Sequence, residues 1–67
     1  MTLRWLNTAD GVWCASAGAW EVHDVNGAYQ LHGNLRDYTG GHRWTCVGTF
    51  PLLADAQSMA AALDKVQ

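Results

Sequence analysis

"AWEVHDVNGAYQLHG" (residues 19–33) carries the strongest local signal in the chain. Asn26-Gly27 is the preferred pair for a two-residue type I′ turn, because both central positions need positive φ. A turn there sets a register: Val25 opposite Ala28, Asp24 opposite Tyr29, His23 opposite Gln30, Val22 opposite Leu31 and Glu21 opposite His32. Side chains alternate across a strand, so Trp20, Val22, Tyr29 and Leu31 share one face. Glu21, His23, Val25, Ala28, Gln30 and His32 take the other. One face is apolar and the other mostly polar, as in an antiparallel sheet covered on one side.

Working outward from the hairpin, "GNLRDYTGG" (33–41) reads as a loop and "HRWTCVGTF" (42–50) as a further strand. Trp44, Cys46 and Phe50 share one parity there, with a gap at Gly48; Arg43, Thr45, Val47 and Thr49 share the other. The first set reads as inward. Trp44 is therefore expected beside Trp20 in the core, Cys46 as a buried thiol, and Arg43 on the open face. Upstream, 12–16 reads as a strand, Ala17-Gly18 as a turn or bulge, and 3–6 as a short edge strand across "NTADG". Trp5 and Trp13 come from these weakly patterned strands, and the sequence leaves them open between core and surface.

The chain ends in "PLLADAQSMAAALDKVQ". Leu52, Ala56, Met59, Leu63 and Val66 recur at helical spacing. Pro51 falls near the first turn, where its missing N–H costs nothing. Asp55 early and Lys65 late suit the helix dipole, and Asp55, Ser58, Ala62 and Lys65 form the wet face. The expected fold is α+β: an antiparallel meander of three to five strands followed by one C-terminal α-helix packed on one sheet face. Residues 1–67 make a single small domain.

A core this small supplies roughly 3–5 kcal/mol at most, so the four tryptophans matter. Each buries roughly 150–250 Å², worth at most about 4–6 kcal/mol at about 25 cal/mol/Å². At least two of them are needed inside. The formal charge is −2, with Arg4, Arg36, Arg43 and Lys65 against six acidic residues. Nucleic-acid binding usually needs a stronger basic patch. No apolar run reaches the roughly 18–20 residues of a membrane span, and the N-terminal residues lack the pattern of a signal peptide. The expected location is the cytoplasm. The absence of Ile and the single Lys fit a GC-rich genome, such as a bacterium or a phage growing in one.

The Trp-bearing hairpin, the next strand and "VGTFPLLADAQSMAAAL" resemble the small β-β-β-α DNA-binding domains, among them the plant ethylene-response-factor domain and the arm-binding domain of tyrosine integrases. Gly48, Phe50 and Ala56 match their Gly-x-Phe step and sheet-packing small residue, over roughly 19–63. Similar β-then-helix patterns recur in small phage proteins of unassigned role. The resemblance implies an open sheet face entering the major groove, with Arg43 and possible help from Arg4 and Arg36. About three phosphate contacts at a salt slope of about −0.9 each make weak binding unless two copies act together.

Chemistry is thin. Cys14 and Cys46 do not form a close pair of the kind structural zinc sites use, a disulfide between them is unexpected in a reducing cytoplasm, and no metal or cofactor is expected. Ser16 and Ser58 lie outside any nucleophile motif, and no phosphate-binding glycine loop occurs. The chain reads as a non-enzyme. Two surfaces stand out as candidate partner-binding regions. One is the polar hairpin face with Glu21, His23 and His32, which either recognises a partner, titrating near neutral pH, or is simply solvated. The other is the loop region with Arg36, Tyr38, His42 and Arg43, rich in interface-type residues. Trp13 is a further candidate partner-binding residue. The expected function is that of a small accessory protein of a phage or mobile element that binds a host or viral protein. Spare tryptophans and an unprotected edge strand also invite a homodimer. A nucleic-acid-binding module and a structural component of an assembly are the alternatives.

Overall fold

A computed structural model describes residues 3–15, 18–36 and 38–66. Five antiparallel strands lie side by side in chain order: β1 (Trp5–Ala9), β2 (Val12–Ala15), β3 (Trp20–Val25), β4 (Ala28–Arg36) and β5 (His42–Phe50). One helix, α1 (Leu53–Val66), follows and packs on β3, β4 and β5. The expected α+β meander with a C-terminal helix is therefore present, at five strands. The expectations placed on Ser16, Ala17 and Asp37 lie outside the described residues. Among the described residues no helix is long and apolar enough to cross a membrane.

The β3–β4 hairpin has the register its turn dictates, from Val25 opposite Ala28 to Glu21 opposite His32. Asn26 and Gly27 take φ of 53° and 84°, the paired positive values of a type I′ turn. The Asp24 carboxylate accepts the Gly27 N–H at 3.2 Å and fixes the turn. β4 does not stop at Gly33, as the loop-like "GNLR" implies, but continues to Arg36, with Leu35 opposite Arg43 and Arg36 opposite His42. The first strand is likewise longer than expected, turning at Asp10-Gly11 rather than across "NTADG".

The core is a thin layer between sheet and helix: Ala15, Trp20, Val22 and Leu31 from the strands, Ala56 and Ala60 from α1. Trp20 is 2% exposed. Its six-membered ring lies over Gly33, where any Cβ would overlap ring atoms Cε3 and Cζ3. Its indole Nε1–H donates to Asp64 Oδ1 at 3.1 Å, tying the sheet to the last turn of the helix. Trp5 and Trp13 are half-buried and pack against this core, and Trp13 meets Tyr29 edge-on at 5.9 Å. The helix turns a different stripe inward from the one its large residues suggest. Ala56, Ala60, Leu53 and Leu63 face the sheet, whereas Leu52, Met59 and Val66 are exposed. Alanines let the helix sit close, and the Trp20–Asp64 bond sets its rotation.

Candidate functional site

Among the described residues, no element covers the face of the sheet away from α1. Its pattern depends on one irregularity. Leu31 lies opposite Gly48, but its neighbour His32 lies opposite Cys46, so Val47 is an extra residue in β5. Such a bulge breaks the alternation of side chains along its strand. Phe50 and Gly48 belong to the helix side, and Val47 packs against the core as well. Beyond the bulge the parity is reversed: Thr45 and Arg43 pair with the helix-side residues Gly33 and Leu35, while Cys46, Trp44 and His42 pair with His32, Asn34 and Arg36 on the open face. Three expectations are thereby corrected. Trp44 is 48% exposed instead of core, Cys46 is an exposed thiol, and Arg43 is on the helix side of its strand.

The centre of the open face is a chain of ring contacts across β3, β4 and β5. The Glu21 carboxylate accepts from His23 Nε2 at 3.1 Å. His23 meets His32 edge-on at 5.2 Å, with ring planes 82° apart. His32 lies parallel to Trp44 at 6.1 Å and 7°. Glu21, His23 and His32 are thus brought together as their turn predicts, and the bulge adds Trp44 to them. Cys46 is the cross-strand neighbour of His32, but the imidazole is turned onto Trp44. Leu6 on β1, 68% exposed, and Val25 on β3 extend the same face. Only Glu21 and, at one end, Arg36 carry formal charge among the strand residues of this face. Among the described residues no group of three or more His, Cys, Asp or Glu side chains is arranged to hold a metal ion.

The second candidate region lies at the end of the β4–β5 hairpin. Leu35, Arg36, Tyr38, Thr39, Arg43 and Thr45 line a concavity of about 420 Å³. Tyr38 is fully exposed, and His42, opposite Arg36, is exposed as well. Arg36, Tyr38 and Arg43 are therefore brought together. Trp13 is not part of either region, because its ring is on the helix side against Tyr29.

The cations gather along the strand direction, with Asp64 in the last turn of α1 sharing their end. Arg36 and Arg43 lie at the β4–β5 hairpin end. Arg4, which precedes Trp5 opposite Ala15, and Lys65 in the last turn of α1 lie at the same end. Asp10, Asp24 and Asp55 occupy the opposite end. Across the sheet, however, the cations are spread. Arg4 and Arg43 are on the two outer strands, four spacings of about 4.8 Å apart, and Lys65 is in the helical layer.

No protein-family model, curated protein or solved structure matches this chain. The resemblance to β-β-β-α DNA-binding domains rests on the order of the elements and on Gly48, Phe50 and Ala56. A sequence signal for the exposed Trp44 did exist: an isolated glycine inside a strand, here Gly48, often marks a bulge.

Proposed function

We propose that this chain is a non-enzymatic accessory protein that acts by binding another protein through the open face of its sheet. The observation that carries this reading is Trp44, held against His32 on an uncovered face where it adds nothing to the core. Interface centres are depleted in charge and enriched in aromatic rings, and Trp is over-represented among residues whose truncation abolishes binding. The open face has that composition, with Trp44, Leu6 and Val25 set among polar His, Thr, Gln and Cys side chains. The residue usage supports a phage or mobile element of a GC-rich bacterium as the setting, with a cytoplasmic host or viral protein as the partner.

The test is capture from a GC-rich bacterial lysate with the tagged chain, with and without nuclease, read by mass spectrometry. A partner retained after nuclease by the parent chain, and lost by a folded Trp44→Ala variant, is the expected outcome. Capture that survives Trp44→Ala undiminished would place binding elsewhere and refute the reading.

A second reading, nucleic-acid binding, is favoured by one observation, the gathering of all four cations at one end. It predicts duplex binding that weakens steeply with salt and falls in Arg36→Ala and Arg43→Ala. Capture that disappears with nuclease would favour it. Against it, Arg43 is on the covered side of the sheet, and the face that resembled domains place in the groove carries little positive charge.

A further inference from the structure

The two outer strands of the sheet differ in how well their edges are protected. Hydrogen-bond direction alternates along an antiparallel strand, and one observed bond sets the phase: the Asn34 N–H donates to Ala19 O at 3.0 Å. Asn34, His32, Gln30 and Ala28 therefore turn their backbone groups toward β3, while Leu31, Gly33 and Leu35 turn theirs toward β5. Thr45 and Arg43, opposite Gly33 and Leu35, are engaged in return. His42, Trp44 and Cys46 then point their N–H and C=O groups outward from the sheet. On the other side, the bond from Asp24 N–H to Gly11 O at 2.8 Å leaves only Trp5 and Asn7 of β1 facing outward. That edge is short and is interrupted by an irregularity between Asn7 and Ala9. The Asn7 amide also caps the turn by donating to Ala9 O and Val12 O.

Natural edges are blunted by Lys, Pro, bulges or shortness. The segment 42–46 has neither Lys nor Pro, is regular up to the bulge at Val47, and carries its one permanent charge, Arg43, on the helix side. We propose that β5 pairs antiparallel with β5 of a second copy about a two-fold axis at Trp44, making one ten-stranded sheet. This goes beyond the protein-binding reading, because it concerns the strand edge rather than the open face.

The register follows from the chain itself. Only residues with outward backbone groups form hydrogen-bonded pairs, and a two-fold axis can fall on one of them or on the inward residue between two. An axis at Arg43 would oppose two guanidinium groups, and one at Thr45 would leave only the two pairings of Trp44 with Cys46 before the bulge. An axis at Trp44 opposes the regular segment to itself: Trp44 to Trp44, and His42 to Cys46 of the second copy. Three such pairs exchange six backbone hydrogen bonds. Arg43 then faces Thr45 of the second copy, and no like charges are directly opposed. An axis at Cys46 instead brings the bulge of each copy into the ladder, and one at His42 leaves Trp44 unpaired. The axis is perpendicular to the sheet, so both helices lie on one side and both open faces on the other. The two Trp44 rings meet at the centre, each retaining its own His32, and the exposed aromatic strip doubles in length.

An interface made of one strand edge and a Trp pair is under about 1,200 Å², the weak class, so a dissociation constant of roughly 10–500 µM is expected. Sedimentation of the full chain from about 5 to 500 µM should move from the 7.3 kDa monomer toward twice that mass. Over the same range, hydrogen exchange at the Trp44 and Cys46 amides should slow at least several-fold, while Arg43 and Thr45 stay protected throughout. Cys46→Pro removes an outward N–H at an edge position where proline is tolerated, and Trp44→Lys opposes two ammonium groups at the axis. Both should remain monomeric with the parent's circular dichroism. In a chain with Cys14 and Cys46 replaced by Ser, Trp44→Cys should cross-link, since paired Cα atoms about 5.5 Å apart suit a disulfide. Monomer mass at 500 µM, undiminished association of both variants, or failure of the position-44 cysteine to cross-link while the parent chain cross-links through Cys46 would each overturn the proposal. Partner capture at about 1 µM, below self-association, tests the protein-binding reading separately, so either can fail alone.

Discussion

Replacing Gly33 with alanine should be among the most damaging single-methyl changes in this chain, for a steric reason. Gly33 does not have positive φ, so its backbone conformation is open to alanine. The obstacle is the Trp20 ring, whose Cε3 and Cζ3 occupy the place of a Cβ. Neither side gives way easily. Trp20 is 2% exposed, its indole is bonded to Asp64, and Gly33 sits in a strand paired on both sides. Overpacking of this kind costs about 1–3 kcal/mol. If the ring lifts enough to expose half of its roughly 200 Å², about 2.5 kcal/mol of burial is lost at 25 cal/mol/Å². A total near 2–4 kcal/mol approaches the roughly 3–5 kcal/mol available to a domain of this size. The melting temperature should fall by at least about 8 °C, at about 4 °C or more per kcal/mol, and the near-ultraviolet dichroism of Trp20 should weaken. Gly48→Ala is the internal control. A Cβ there meets only Phe50 Cε2 and Cζ at 3.8 Å, an ordinary contact, and should change the melting temperature by less than about 3 °C. A Gly33→Ala protein that melts with the parent, or a Gly48→Ala protein that falls as far, refutes the steric account.

Three further outcomes are expected. Leu52 stands at the N-cap of α1, its carbonyl accepting the Ala56 N–H at 3.3 Å, and it has no side-chain oxygen to cap the helix; Leu52→Asp should therefore stabilise by about 0.5–2 kcal/mol, read as a higher urea midpoint at unchanged m-value. Gly27 has φ of 84°, so Gly27→Ala should destabilise by about 1 kcal/mol, whereas open space around it rules out a clash. The Cys46 thiol is exposed and Cys14 half-buried beside Thr8 Oγ1 at 3.5 Å; an aromatic disulfide reagent should modify Cys46 first, and equal rates would contradict the reversed parity of β5.

What was legible in the sequence was what local chemistry fixes. Asn26-Gly27 specifies a turn from two residues, the turn specifies a register, and the register specifies which side of the hairpin Glu21, His23 and His32 occupy. The helix was readable from its spacing, but its rotation was not. "MAAAL" offers alanine on several sides, and the choice of Ala60 over Met59 is made by Trp20 and Asp64, far apart in sequence. The continuation of β4 through Gly33 and Asn34 was hidden because both are turn formers by composition, while Gly33 is required by a ring thirteen positions earlier. Trp44 was misplaced for a related reason. Its side of the sheet depends on how β5 pairs with β4, and Gly48 hints at an irregularity without saying where the extra residue falls. Trp13 gave no local signal, because β2 is short and its orientation comes from pairing with Val22.

The extra residue in β5 separates the alternation written in the sequence from the faces the strand presents. Removing Val47 in frame would close the bulge while Leu31 stays opposite Gly48 and His32 opposite Cys46. Trp44 and Cys46 would keep the open face and Arg43 the helix side; only the local irregularity and the contact of Val47 with the core would go. Lineages that differ by that one codon would therefore read with opposite alternation in β5 and yet present the same face to whatever they meet.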